Sequence, residues 1–329
     1  MVYSIIIPVY NRPDEVRELL ESLTKQSYRD FEVVIVEDGS SVKCDEEVAQ
    51  FSNRLDITYH VVPNGGPAKA RNIGATLSRG DYLIILDSDV VLPSQYLYEV
   101  HKAVMETHAD AFGGPDAASQ DFLPMQKAIN YAMTSFITTG GIRGGKKKMD
   151  KFYPRSFNLG CRKEVYNALG GFSDMRFGED IDFSLRLFKG GYKVLLFPEA
   201  FVYHKRRVDL KKFFKQVHNS GIARIHLETR HPGSMKAVHT LPALFTLGCA
   251  ALLVLACFSL WALLPLLLLA FIIWVDAVGQ TRSPKIALMA VAASYVQLLG
   301  YGSGFIRAWW NKYVLRKPEF TAFDNTFYN

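Results

Sequence analysis

Asp81-Tyr82-Leu83-Ile84-Ile85-Leu86-Asp87-Ser88-Asp89 decides how the first half of the chain folds. The bulky run from Tyr82 to Leu86 suits a strand buried on both faces. It stops on two carboxylates two residues apart. Carboxylates so spaced at a strand end can share a hard divalent cation such as Mg²⁺ or Mn²⁺. By itself such a triplet is equally a solvated turn, so its surroundings decide.

Working outward, residues 4–9 and 31–36 are further buried-type strands, and residues 57–62 form another. Residues 13–25 carry Val16, Leu19, Leu20 and Leu23 on one helical face. The second strand runs into Glu37-Asp38-Gly39-Ser40, a carboxylate pair that also suits a turn or cap. Asn64-Gly65-Gly66-Pro67 turns the chain, with proline placed to open a helix over 68–78. Strands alternating with helices predict an α/β fold with a Rossmann-like, mixed but mainly parallel sheet. Ligands of such sheets sit beyond the carboxyl ends of the strands, where Asp38, Asp87 and Asp89 all fall.

Residues 94–193 are less regular. Residues 140–148 read as a mobile basic loop, and Lys146, Lys147 and Lys148 suit either a lipid-diphosphate contact or a solvated surface. Residues 152–162 return to the sheet. Residues 179–189 form a helix whose first turn carries Glu179, Asp180 and Asp182. Dipole stabilisation alone does not call for so many acids there. A carboxylate in that place can serve as the general base that takes a proton from an acceptor hydroxyl.

The 329-residue chain carries a net charge of +6 and no basic stripe interleaved with aromatics, so no nucleic-acid partner is expected. Its four cysteines form no C-x-x-C pair, and neither a disulfide framework nor a zinc site is expected. The amino terminus reads as a first strand and not as a secretory leader, so the first half is expected on the cytoplasmic side.

The character changes after residue 239. Residues 241–275 contain no charge, too long for one helix across a hydrocarbon core of about 30 Å, so two spans turning near 259–265 are expected. Residues 286–306 are a third candidate, weakened by Gln297 and by Gly300, Gly302 and Gly304. Residues 208–227 predict a basic amphipathic helix, with Lys205, Arg206, Arg207, Lys211, Lys212 and Lys215 clustered at its start, that suits an anionic membrane surface better than a solvated face of the main domain. Positive charge before the first span and after the last favours the cytoplasm at both places, which three spans cannot satisfy. Trp309 and Trp310 suit an interfacial anchor. The expected division is a catalytic domain over 1–205, the surface helix and linker over 206–240, a transmembrane region over 241–308 and a tail over 309–329.

The ordered set of Ser4-Ile5-Ile6-Ile7-Pro8-Val9-Tyr10-Asn11, Glu37-Asp38-Gly39-Ser40, Ala70-Arg71-Asn72-Ile73-Gly74, Asp87-Ser88-Asp89, Gly170-Gly171-Phe172 and Gly178-Glu179-Asp180 resembles glycosyltransferase family 2, the inverting enzymes of GT-A fold. The resemblance spans about residues 2–204. It implies that Pro8 and Tyr10 line a nucleobase pocket, that Asp38 bonds the base and that Arg71 lies near the donor phosphates. It further implies that Asp87 holds ribose or metal, that Asp89 is the direct ligand of Mg²⁺ or Mn²⁺, and that Asp180 is the base with Glu179 beside it. His204 either completes the metal or diphosphate site or is a surface histidine. Glu37 stands where many members have Asp. The Q-x-x-R-W motif of processive synthases is absent, since Gln216 and Arg224 have the wrong spacing. That favours transfer of one sugar, from a UDP- or GDP-sugar to a hydroxyl of a lipid-linked or growing glycan at the inner membrane. The rivals are a polyprenyl-phosphate glycosyl synthase, a non-catalytic membrane scaffold and a nucleotidyltransferase.

Overall fold

The computed structural model describes residues 1–117, 123–139, 152–204 and 209–318, with His204 described by its backbone alone. The expectations for residues 140–148, for Lys205, Arg206 and Arg207, and for the end of the tail lie outside the described residues. Two compact units divide the chain.

The first unit begins β1 (Tyr3–Val9), α1 (Pro13–Thr24), β2 (Phe31–Asp38), α2 (Asp45–Phe51), β3 (Ile57–Val62), α3 (Pro67–Leu77) and β4 (Tyr82–Leu86). It continues with β5 (Val90–Val91), α4 (Tyr96–Thr107), β6 (Ala111–Gly113) and β7 (Asp116–Ala117). The second unit then takes α5 (Pro124–Thr134) and α6 (Phe136–Thr139). The chain returns to the first unit for β8 (Asn158–Arg162), α7 (Lys163–Ala168), α8 (Glu179–Lys189), β9 (Val194–Leu196) and β10 (Val202–His204).

The main sheet has the order β3-β2-β1-β4-β8-β6-β9. β1 to β4 run parallel, and β8 is antiparallel to both β4 and β6. The mixed, mainly parallel sheet expected from the sequence is therefore present. Alternation along β1 explains its place: Ile5, Ile7 and Val9 enter the core shared with α1 and α4, while Ile6 faces the opposite layer with Phe183 and Leu187 of α8. β2 and β4 leave β1 on opposite sides, so the strand order reverses at β1, and ligands of such sheets bind beyond the carboxyl ends of the strands at that point. A second, three-stranded sheet has the order β5-β10-β7.

α3 is held close to the sheet by an absent side chain. A Cβ at Gly74 would come within 2.5 Å of Ile6 Cγ2, so a larger residue would push the helix, and Arg71 with it, off the sheet.

The second unit continues with α9 (Leu210–Arg230), α10 (Ala237–Ala256), α11 (Leu264–Thr281) and α12 (Pro284–Trp309). Asp209 caps α9 by accepting from Lys212 N at 2.7 Å. The charge-free stretch breaks between α10 and α11 at residues 257–263, where the sequence predicts a turn. Among the described residues, three helical segments are long and apolar enough to cross a membrane: Ala237–Ala256, Leu260–Thr281 and Pro284–Val314.

Candidate functional site

The site gathers where β1, β2 and β4 end. Asp87 and Asp89 follow β4, and each meets an arginine. Arg71 Nη2 donates to Asp87 Oδ1 at 2.9 Å, and Arg12 Nη1 donates to Asp89 Oδ2 at 2.8 Å. The two carboxylates differ in exposure: the Asp87 side chain is 32 % exposed and that of Asp89 10 %.

Arg71 is the hinge of the cluster. It is buried on α3, and its second terminal nitrogen donates to Glu179 Oε1 at 2.8 Å. One guanidinium thus ties the end of β4 to the start of α8, a use of the planar fork that a lysine cannot copy. Burial alone would lower the Arg71 pKa, but the two carboxylates outweigh it and the net shift is upward. Burial, and then the neighbouring Asp180, raise the Glu179 carboxyl above its ordinary range, while Arg71 opposes both. The Phe172 ring lies 5.4 Å below the guanidinium. Among the described residues, Arg71 Nε finds no acceptor although it is buried.

Asp180 opens α8 beside Glu179. Its Oδ2 accepts from Arg155 Nε at 2.7 Å, and its Oδ1 from its neighbour Ile181 N at 2.8 Å. Asp182, the third acid of that turn, does something else. Its Oδ2 holds Arg186 Nε at 2.9 Å, and Arg186 donates on to the carbonyls of Leu169 and Gly171. Asn72 grips the same turn through Tyr166 Oη, Phe172 N and Phe172 O. The Asn72 and Gly170-Gly171-Phe172 motifs are thereby two halves of one joint, which sets α8 against α3.

At the end of β1, Pro8 and Tyr10 are half-buried. Asp38 is buried, and its two carboxylate oxygens accept from Gly65 N at 2.7 Å and Gly66 N at 2.9 Å. Burial raises the Asp38 pKa and these two N–H groups work against that. Asp38 therefore fixes the loop that leads into α3. Glu37 is wholly buried and accepts from Cys44 N, Tyr59 Oη and Ser40 Oγ, so it shapes the loop after β2.

The first strand contributes more than its motif suggests. Asn11 adopts a left-handed φ of 53°, and its Oδ1 accepts from Ser41 N, Ser41 Oγ and Val42 N. It locks the loop after β1 to the loop after β2. Asn11, Arg12 and Arg155 are the members that sequence reasoning does not assign. Arg12 has a readable signal, because it follows a strand end by the same rule that singles out Asp87. Nothing in the spacing marks Arg155.

His204 belongs to β10, and the antiparallel register sets it opposite Val90, the residue after Asp89. Its side chain lies outside the description. Among the described residues, no three Asp, Glu, His or Cys side chains converge on one point. That still suits Mg²⁺ or Mn²⁺, since Mg²⁺ is usually held by one or two carboxylates together with the phosphates of a substrate. The oxygens of Asp87 and Asp89 are hard donors of the required kind.

Comparison with known proteins fixes the class. A GT-A-like mixed sheet is shared with a solved mannosyltransferase, PcManGT from Pyrobaculum calidifontis. The TM-score is 0.63 at 18 % identity, over 89 % of this chain and 86 % of that one. That likeness concerns the fold alone; the PcManGT structure holds GDP-Man and Mn²⁺. The family model for glycosyl transferase family 2 matches residues 4–170, half of the 329 residues, and the chain belongs to that family. Glu179 and Asp180 fall beyond the matched segment. Glycosyltransferase GlyG of Streptococcus pneumoniae is 32 % identical over 115 residues, 34 % of this chain and 38 % of that protein. The probable glycosyltransferase YdaM of Bacillus subtilis is 26 % identical over 227 residues, 65 % of this chain and 53 % of its own length. The chain thus spans about half or less of these relatives.

Proposed function

We propose that the protein transfers one sugar, with inversion, from a UDP- or GDP-sugar to a hydroxyl of a lipid-linked or growing glycan. It does so in cell-surface polysaccharide or glycoconjugate synthesis, on the cytoplasmic face of the inner membrane. The observation that carries this reading is the Arg71 bridge. It holds Asp87 at 2.9 Å and Glu179 at 2.8 Å, and so brings the end of β4 and the start of α8 to one crevice.

Each residue has a part. Pro8 and Tyr10 flank the base, and Asp38 shapes that end through the Gly65-Gly66 loop. Arg71, which gives two of its five N–H groups to Asp87 and Glu179, faces the diphosphate. Asp89, with Asp87 and His204 beside it, would hold Mg²⁺ or Mn²⁺, which supplies a Lewis acid for the charge that gathers on the leaving diphosphate. Asp180 takes the acceptor hydroxyl proton as that oxygen bonds to the anomeric carbon, and the bond from that carbon to the diphosphate oxygen breaks. Arg155 orients the Asp180 carboxylate. Glu179 keeps Arg71 in place.

The test is a donor screen. Purified full-length protein is supplied with nucleotide sugars and extracted lipid-linked glycans, and nucleoside diphosphate release is measured. Acceptor-dependent release from a UDP- or GDP-sugar is the expected result. Release only on polyprenyl phosphate, or pyrophosphate release from a nucleoside triphosphate, would replace this reading with one of its rivals.

A further inference from the structure

Two arginines meet the acids that follow β4, and they are held in opposite ways. The Arg71 side chain is 4 % exposed and is clamped between Asp87 at 2.9 Å and Glu179 at 2.8 Å. The Arg12 side chain is 31 % exposed and reaches Asp89 with Nη1, 2.8 Å from Oδ2. Its next carboxylate, Glu15 in the first turn of α1, lies 3.9 Å from the same nitrogen. Moving Arg71 breaks two inward pairs at once. Moving Arg12 breaks one, with Glu15 and solvent at hand. Arg71 is a fixed part of the cluster, and Arg12 is an exchangeable one.

The fold delivers Arg12 to this place. β1 and β4 are parallel neighbours, and Arg12 and Asp89 each stand three residues past the end of their strand, at Val9 and Leu86. Helix energetics does not account for the choice of residue. Arg12 is the N-cap of α1, a position that favours Ser, Thr, Asp or Asn, and its side chain makes no capping bond. Its charge lies at the positive end of the helix dipole, where cations are disfavoured. What Arg12 does satisfy is Asp89, a carboxylate buried at the neighbouring strand end.

Asp89 is also the residue read above as the ligand of Mg²⁺ or Mn²⁺, and the role of Arg12 rests on that reading. Two positive groups on one carboxylate repel each other. With Arg12 and Arg71 already in place, a lone divalent cation meets an unfavourable field at Asp89. The diphosphate of a nucleotide sugar carries as much negative charge as the cation carries positive, so the two can enter together at little electrostatic cost.

We propose that Arg12 is a built-in counter-ion that reserves Asp89 for a cation arriving with the donor. It holds Asp89 in the free enzyme, gives way toward Glu15 when cation and nucleoside diphosphate come together, and keeps a free cation from settling first. Arg12 is a positioning residue that sets the order of binding and touches neither the sugar nor the acceptor.

Mn²⁺ affinity of the purified full-length protein tests this, read from the electron paramagnetic resonance signal of free Mn²⁺ with no turnover involved. Wild-type protein should bind Mn²⁺ weakly alone and about tenfold more tightly with saturating UDP or GDP. Arg12→Ala should bind Mn²⁺ alone about tenfold more tightly than wild type, and the gain from nucleotide should shrink by the same factor. Arg12→Gln keeps a donor for Asp89 without the charge and should move in the same direction, whereas Arg12→Lys should stay within about threefold of wild type. Adding Asp89→Ala to Arg12→Ala should erase the gain. Loss of a merely structural contact does not raise affinity. If wild type binds Mn²⁺ with nucleotide, yet Arg12→Ala and Arg12→Gln bind Mn²⁺ alone no more tightly than wild type, the role of Arg12 is overturned and the metal site stands. Failure of wild type to bind Mn²⁺ with either nucleotide overturns the metal site at Asp89, and the role of Arg12 with it.

Discussion

The strand-end cluster and the helices of the second unit are both tightly packed, by opposite means. Around β1, β2 and β4 the buried groups are charged, and they are tolerated because Arg71, Arg12 and Arg155 each meet a carboxylate. Between α9, α10 and α12 the contact is made by missing side chains: Gly221, Gly300, Gly302 and Gly304 let backbones touch. The first region is vulnerable to loss of a charge, the second to gain of a methyl group. That difference orders the substitutions that would break each.

The largest effect is expected from Asp89→Ala. It should lower transfer by about 10³-fold, the scale of removing a main stabiliser of developing charge. Wild-type turnover that persists in excess EDTA would contradict the role given to Asp89. Arg71→Ala comes next, because it leaves Asp87 and Glu179 without their shared partner. Breaking a buried pair in this way costs about 3–5 kcal/mol, readable as a fall in denaturation midpoint, and Arg71→Lys should recover part of it. Arg155→Ala should reduce kcat about tenfold with donor KM little changed, if it orients Asp180 during general base catalysis. A matching loss of donor affinity would move Arg155 to the donor site.

The helix contacts are probed by volume. Gly304→Ala places a Cβ against the His218 carbonyl and should destabilise the second unit by about 1–3 kcal/mol, followed by thermal unfolding in detergent. Gly248→Ala in α10, with nothing within 4 Å of the new methyl, should be neutral or slightly stabilising.

A further effect appears in acid. Burial first, then Lys312 and Arg230, push the His226 imidazole on α9 from 6.5 down to about 4. The unfolded chain takes up a proton below 6.5 that the folded one resists until about 4, so stability falls as pH drops through that window. His226→Gln should flatten the fall, and an unchanged pH profile would show that His226 is not its source.

How legible each region is in the sequence follows from the same contrast. β1, β2 and β4 carry apolar runs, and α8 announces itself by a glycine and an acidic first turn, so both fold class and strand-end acids can be read. The arginines cannot all be read. Arg71 meets Glu179 across 108 residues and Arg155 meets Asp180 across 25, distances that only the closed fold removes. Asp38 is legible as a strand-end carboxylate, but its acceptance of the Gly65 and Gly66 N–H groups depends on how α3 returns to the sheet. α5 stays hidden within an irregular stretch because much of its buried face is small, with Ala128 and Ala132 matched to alanines of α12 far along the chain. α12 has the hydropathy of a span, and its contacts with the polar helices α5 and α9 are a tertiary fact that hydropathy does not record.

The role of Asp180 in the cluster is tested most directly by Asp180→Asn, measured twice. Donor affinity is read by titrating a nucleotide sugar with Mn²⁺ into the variant, and transfer by a single-turnover assay with acceptor. The substitution keeps the shape and removes the base. Binding within about threefold of wild type, with transfer reduced by about 10²–10⁴-fold, is the predicted result. Transfer at the wild-type rate would contradict it.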